Sequence, residues 1–239
     1  TSLEECDRVG KALREQPVPF MVDFHNRWNP GVTRIREGIA AGRIGAVQMV
    51  YYRLSDAISV PTTMLSWAGR STVNWFLGSH CIDTLRWLLA DEVARVHTVT
   101  GSGVLQGRGV DTPDYYLSVL EFREGAHALL ENCWILPERN PALVDFKLEV
   151  VGQCGAFHFD GSPHRLLEVT DQGPTCPDTF ISPTVQGRPV GFARESIRHF
   201  VDCLLTGRQP MTGFEDGRKV TQVIMAMERS ASEGRPVEL

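Results

Sequence analysis

No apolar run in this chain approaches the roughly 18 residues that a membrane-spanning helix needs, and no signal-peptide pattern opens it. Cysteine is sparse and scattered: Cys6, Cys81, Cys133, Cys154, Cys176 and Cys203 form no C-x-x-C pair. Such spacing argues against a disulfide framework or a zinc site and for free thiols in a reducing cytoplasm. Positive charge is short as well. The chain carries 24 Lys and Arg against 29 Asp and Glu, a net charge of −5. The basic residues are dispersed, so a phosphate-tracking face is missing and nucleic acid is not an expected partner. Internal repeats and low-complexity segments are absent. What is present, 42% hydrophobic and 22% charged residues over 239 positions, suits a globular protein able to bury a sizeable core.

The pattern begins abruptly. The first residue is Thr1, and Ser2-Leu3-Glu4-Glu5 is a capping-box signature. It predicts a helix over 3–15 with Leu3, Cys6, Val9 and Leu13 on its apolar stripe, ended by Pro17. Val18 to Phe24 is a short apolar run that predicts a strand buried on both faces. A chain that starts at a helix cap reads as a fragment or processed product, its helix–strand pair being the last piece of an α/β sheet. An unpaired apolar strand is an aggregation hazard. It is therefore expected to be covered, by another subunit or by a retained N-terminal piece.

A second helix follows Asn29-Pro30, carries Val32, Ile35 and Ile39, and stops near Gly42. From Ala46 the period changes to the alternation of a strand, Val47 to Arg53. An irregular segment from Ser55 to Ser71 leads to a further helix with Ile82, Leu85, Leu88 and Leu89 on one face. Strands are predicted at Val93–Thr100, Tyr115–Phe122, His127–Ile135, Phe146–Val151 and Ala156–Phe159, with turns at Arg123-Glu124-Gly125 and Gln153-Cys154-Gly155. Residues 171–190, rich in Pro and Gly, read as loop. Two helices close the chain. One spans about 192–206, with Phe192, Ile197, Phe200, Val201 and Leu204 inward. The other spans about 214–232, with Val220, Val223, Ile224 and Met227 inward. The sum is an α+β layer: an open, mainly antiparallel β-sheet with helices on one face, preceded by the helix–strand remnant.

The chemistry concentrates at Gly78-Ser79-His80-Cys81-Ile82-Asp83. An imidazole at the start of an amphipathic helix lies near unpaired backbone N–H groups, which favour neutral histidine. From residues alone, the plainer reading of His80 is a helix-start histidine satisfied by a backbone carbonyl. Asp83 is expected to bond locally near the helix start. His97 and His127 fall in strands, His158 in a hairpin and His164 in a loop. None is at metal-ligand spacing, so no metal is expected.

Several anchors in order point one way. They are Phe24-His25-Asn26-Arg27-Trp28-Asn29-Pro30, Gly42-Arg43-Ile44-Gly45, Gly78-Ser79-His80-Cys81-Ile82-Asp83 with Arg86-Trp87-Leu88-Leu89, Glu149 to Gly155, and Thr212-Gly213-Phe214-Glu215-Asp216-Gly217. Together with the closing Gly234-Arg235-Pro236-Val237-Glu238-Leu239, they resemble the Gfo/Idh/MocA family of NAD(P)-dependent oxidoreductases. The resemblance implies that 1–27 is the remnant of an N-terminal dinucleotide-binding Rossmann domain and that 28–239 is the C-terminal substrate-binding and oligomerisation domain. It implies NAD or NADP for the full-length protein, a homo-oligomer through the open sheet and a carbohydrate-like small molecule as substrate. The family's Gly-rich phosphate loop and its Glu-Lys-Pro motif are not in this sequence. Gly101-Ser102-Gly103-Val104-Leu105-Gln106-Gly107 has the wrong spacing and no following helix. This chain alone is therefore not expected to bind cofactor.

On this resemblance His80 is the catalytic acid–base residue of an enzyme acting on a sugar, polyol or related hydroxy compound. The Asp that usually precedes it by four residues is replaced by Phe76, which can neither orient nor charge an imidazole. Arg27 either orients a substrate oxygen or forms a structural salt bridge at a domain hinge. His25 lines the same pocket or sits at the core edge. Trp67, Arg70, Asn74 and Phe76, in the segment leading into His80, either shape the substrate pocket or pack. Phe76 and the missing lysine keep two alternatives open: a non-catalytic binding or assembly module of the same fold, and a diverged lyase.

Overall fold

The computed structural model of the chain describes residues 2–162 and 166–239; His164 lies outside them. Ser2 accepts a hydrogen bond from the Glu5 N–H and caps α1 (Leu3–Glu15) as the sequence predicts. The following segment is extended but joins no sheet among the described residues. The expectation of a strand buried on both faces is corrected here: Val18 is 61% exposed, only Phe24 is fully buried, and Val22 packs partly buried against the core. The segment is tied instead to the far end of the chain, through Thr212 Oγ1 donating to the Val22 carbonyl at 2.6 Å.

One tight helical turn, His25–Trp28, leads into α2 (Pro30–Ala40). Asn29 Oδ1 accepts from the Gly31 N–H at 2.9 Å, and Pro30 occupies the first turn, where its missing N–H costs nothing. Gly31 and Gly38 lie on the face of α2 that meets Phe159 and Phe157; a Cβ at either position would come within 2.3 Å of the facing ring. Gly42 ends this stretch at φ +69, a left-handed conformation that glycine adopts without strain.

The centre of the molecule is a seven-stranded sheet. Its strands are β1 (Val47–Asp56), β2 (Val93–Gly101), β3 (Tyr115–Phe122), β4 (His127–Cys133), β5 (Val144–Gly152) and β6 (Ala156–Asp160). Beyond two small hairpins, β7–β8 (Glu168–Thr170, Gly173–Thr175) and β9–β10 (Thr184–Val185, Arg188–Pro189), a last strand β11 (Val237–Glu238) completes it. The spatial order is β11-β2-β3-β4-β1-β5-β6. Every pairing is antiparallel except β1 with β4, which run parallel. The two hairpins correct the expectation of plain loop over 171–190.

Helices α3 (Ser79–Leu89), α4 (Phe192–Thr206) and α5 (Phe214–Glu233) complete the α+β layer. Val50, Tyr52, Leu120, Leu130 and Leu148 from the sheet meet Ile82 and Leu85 of α3 and Val223, Ile224 and Met227 of α5 in one core. The inward stripe predicted for α5 holds. That predicted for α4 fails: Phe192, Ser196 and Cys203 are buried, whereas Ile197, Val201 and Leu204 stand between 45% and 49% exposed. α4 packs chiefly on the His25–Trp28 turn rather than on the sheet, so its contact face is set by that small neighbour, not by its apolar stripe. On the opposite side of the sheet Met49, Val99, Leu117, Val119 and Leu129 are exposed.

Candidate functional site

His80 comes to its place along a helix that starts earlier than the sequence suggests. Asn74–Gly78 already form a wide helical turn, in which the Ser79 N–H donates to the Asn74 carbonyl five residues back. Gly78 itself has helical angles, φ −59 and ψ −34. His80 therefore sits in the interior of a continuous helical segment and not at a free positive end. Its tuning comes from burial first, then from the neighbouring His25, with Asp23 pulling the other way; the pKa falls to about 3. The imidazole is neutral at ordinary pH. Its Nδ1 is buried with no hydrogen-bond partner, so the backbone carbonyl expected to satisfy it is not there.

The His25 ring lies 4.5 Å from that of His80, centre to centre, and 5.8 Å from Phe192. His25 Nδ1 is 3.8 Å from Asp23 Oδ2. Burial works against the Asp23 charge, yet hydrogen bonds from His25 and Ser196 hold its carboxyl below the usual range. Beside the two histidines is a cavity of about 230 Å³ lined also by Asp56, Leu65, Phe76 and Phe146. Phe76 presents its ring to Trp134 at 5.8 Å and to Trp67 at 5.6 Å.

Asp56, the last residue of β1, escapes a reading based on motifs because it stands in an ordinary strand pattern. It is 2% exposed. Burial pushes its carboxyl up to about 7, with the Trp134 indole a weaker opposing influence. The indole Nε1 finds no well-aligned acceptor, and Asp56 Oδ2 finds no donor. Behind them Cys81, raised to about 12 by burial, meets Asn132 Nδ2 at 3.6 Å. Asn132 and Asn74 both crowd Gly78, where a Cβ would lie 3.1 and 3.2 Å from their amide oxygens.

The remaining sequence candidates lie elsewhere. Arg27 is buried on the other side of α3, where Nε and Nη2 meet both oxygens of Asp83 at 2.9 and 2.6 Å. Nη2 also reaches Asp216 at 2.8 Å, and Nη1 donates to the Met211 carbonyl. The local bonding expected of Asp83 is thus replaced by a long-range ion pair. Burial alone would weaken the Arg27 charge, but the two carboxylates raise its pKa further. Asn74 is completely buried beneath the helix and leaves both amide atoms unpaired. Arg70 lines a separate polar cleft with Asp111 and Glu228. The structure brings together His80, His25 and Phe76, with Trp67 one ring further out.

The Gly101–Gly107 stretch does not fit a dinucleotide. The Val104 and Leu105 N–H groups, the donors a phosphate would need, are both taken by the Asp114 carboxylate at 2.9 and 2.8 Å. The only helical turn there, Gln106–Arg108, is three residues long. Among the described residues no group of three or more His, Cys, Asp or Glu is arranged to hold a metal ion.

Comparison with known proteins agrees with this architecture. Residues 32–158 match the GFO/IDH/MocA C-terminal domain, and the chain belongs to that family. It is 26% identical to scyllo-inositol 2-dehydrogenase (NAD(+)) of Bacillus subtilis, across all of this chain and 68% of that protein. It is also 26% identical to an inositol 2-dehydrogenase of Rhizobium meliloti, over 96% of this chain and 68% of the relative. Among solved structures, myo-inositol 2-dehydrogenase from Lactobacillus plantarum superposes with a TM-score of 0.80 at 20% identity, over 100% of this chain and 70% of that one.

Proposed function

We propose that this chain is the substrate-binding and oligomerisation portion of a cytoplasmic NAD(P)-dependent oxidoreductase acting on a sugar, polyol or related hydroxy compound. Residues 1–27 are the end of its dinucleotide-binding domain and 28–239 its C-terminal domain. The observation that carries the proposal is a neutral, unpartnered His80 beside an apolar cavity, in a chain related over its whole length to an inositol dehydrogenase. His80 holds a ligand hydroxyl there, His25 backs the imidazole, and Phe76 offers an apolar face to a sugar or cyclitol ring. Arg27 supports the site from behind α3, and Trp67 extends its rim. Because the glycine loop is closed by Asp114, no step involving the cofactor is assigned to this chain.

The test is direct. Ligand-observed NMR with the 239-residue chain should show saturable contact with myo-inositol, scyllo-inositol or D-apiose, lost in His80→Ala. Tight binding of NAD(H) or NADP(H) by this chain would contradict the assignment of the cofactor site to a separate domain. The exposed sheet face is assigned to a second copy of the chain. Leu129→Glu, at the middle of that face, should then shift the protein towards monomer in light scattering, and an unchanged mass would remove the assignment. Phe76 favours a second reading, a non-catalytic binding module. Retained polyol binding in a full-length protein that shows no turnover with NAD or NADP would support it.

A further inference from the structure

His80 has no carboxylate partner on its own helix. Four residues back stands Phe76, whose ring meets Trp67 and Trp134. Three residues on stands Asp83, both of whose oxygens are taken by Arg27. What meets the imidazole comes from another element. Asp23, Phe24 and His25 are consecutive, and all three bear on it. The Phe24 ring stands nearly perpendicular to that of His80, 6.2 Å away centre to centre. The His25 ring lies closer, at 4.5 Å. The Asp23 charge favours a proton on His80, whereas a charge on His25 opposes one.

Several contacts fix this placement. The His25–Trp28 turn carries Arg27, whose two bonds to Asp83 tie the turn to α3 within one helical turn of His80. On its other side His25 meets Phe192 at the start of α4, and Ser196 of the same helix supports Asp23. The two rings differ in what surrounds them. His25 has a carboxylate oxygen 3.8 Å from its Nδ1 and keeps 26% of its side chain open to solvent. His80 Nδ1 is buried without a partner. Positive charges so close together oppose each other, so protons on the two rings are coupled. The ring beside Asp23 can carry a charge that the enclosed ring cannot.

Other charged groups do not offer the same partnership. Arg27 is matched by Asp83 and Asp216. Asp56, from β1, lines the same cavity and has the Trp134 indole as its polar neighbour. The residues that 60–65, 143–146, 181 and 192 contribute to the cavity wall carry no charge.

We propose that the Asp23–His25 pair is the acid–base partner of His80, supplied from outside its own helix. While His25 is charged, it opposes a proton on His80. Once His25 is neutral, the charge left beside His80 is the Asp23 carboxylate, which favours that proton. His25 and Asp23 are thus positioning residues that govern when His80 can act as a base. The proposal rests on the role proposed for His80 and adds the residues that regulate it.

The experiment is a pH titration of the 239-residue chain, labelled with ¹³C at histidine Cε1 and followed by NMR over the range from about pH 5 to 8. In the wild type, the His80 signal should show a step at the pH where the His25 signal titrates. In His25→Gln that step should vanish. In Asp23→Asn the step should remain and move with the His25 signal to lower pH, because the carboxylate no longer holds the charge. A His25 that served only packing would displace the His80 signal equally at every pH and leave no step to lose. A His80 signal that stays flat while His25 titrates overturns the proposal, as does a step that survives His25→Gln. A step that does not move in Asp23→Asn overturns the part given to Asp23. If His25→Gln does not fold, the wild type decides, and unequal midpoints for the two signals overturn the coupling. Addition of myo-inositol separates this proposal from the carbohydrate reading. A chain that shows the shared step and binds no polyol keeps the coupling and loses that reading.

Discussion

Two buried polar regions flank helix α3, and they are built on opposite terms. On one side Arg27, Asp83 and Asp216 form an ion cluster in which the guanidinium meets two carboxylates and a backbone carbonyl. On the other side, three residues earlier on the same helix, His80 faces a cavity in which its own Nδ1 and Asp56 Oδ2 have no partners. Buried ion pairs are held by geometry and become liabilities when one member is removed. Buried polar atoms without partners are a standing cost that a ligand can relieve. The first region fixes how the ends of the chain come together. The second leaves polar atoms unpaired beside an apolar cavity.

The largest way to break this contrast is Arg27→Met. It leaves Asp83 buried without its cation and should cost about 3–5 kcal/mol in urea unfolding. Adding Asp83→Leu should recover much of the loss, because two apolar groups replace the pair. A loss below about 1 kcal/mol for Arg27→Met would erase the distinction between the two regions.

Asp56→Asn should act in the opposite direction. The folded carboxyl titrates at about 7 against a reference of 3.8. The folded state therefore binds more protons between roughly pH 4 and 7, and the associated stability, complete below about 4, is lost as pH rises to 7. Replacing the carboxyl by an amide should then stabilise the protein at pH 8, by up to ~4 kcal/mol. His80 has the reverse sign. Its folded value of about 3 lies below the reference of 6.5, so its contribution is present above 6.5 and lost as pH falls towards 3. Between about pH 4 and 6.5 the two slopes oppose each other in the wild type. In Asp56→Asn the His80 slope should emerge alone, at about 1.4 kcal/mol per pH unit. A pH series of urea midpoints checks both the sign and the window.

The smallest effect belongs to the open margin of the ion cluster. Lys219 lies 2.5 Å from Glu92, which also receives Arg86. Burial raises the Glu92 carboxyl, but the hydrogen bonds and charges of Arg86 and Lys219 outweigh it and bring the pKa to about 2. Glu92 is half-buried, with 31% of its side chain exposed, and Lys219 is 46% exposed. Lys219→Ala should therefore cost less than about 1 kcal/mol, and less again at high salt. A larger loss would place this pair with the buried cluster rather than at its margin.

Legibility in the sequence followed the reach of each interaction. Caps, turns and alternating strands are local, and Ser2, Asn29, Gly42 and the five strands from Val93 to Phe159 read directly from the residues. The α4 stripe misled because amphipathicity states which face is apolar, not which neighbour is present to cover it. Val18 to Phe24 misled for a related reason: an apolar run becomes a strand only beside a partner. The Arg27–Asp83 pair joins residues 56 positions apart, and no spacing rule connects them. Asp56 was invisible because its chemistry is conferred by its surroundings. His80 stood out at a helix start and took its role from the family resemblance, while the cause of its neutrality is burial and not a helix end.

The single parallel pairing in the sheet has a consequence for how the chain is assembled. β1 is made early, yet its two neighbours, β4 and β5, begin at residues 127 and 144. The meander β2–β3–β4 pairs strands that follow one another in sequence, across connections 102–114 and 123–126, and can form as soon as it leaves the ribosome. β1 must wait with both edges open for more than 70 residues of further synthesis. Closure of long loops slows folding, and an open edge in the interval invites misassociation. The order of strands makes the docking of β1 a late event in folding, and that docking brings Asp56 at its end up against the cavity.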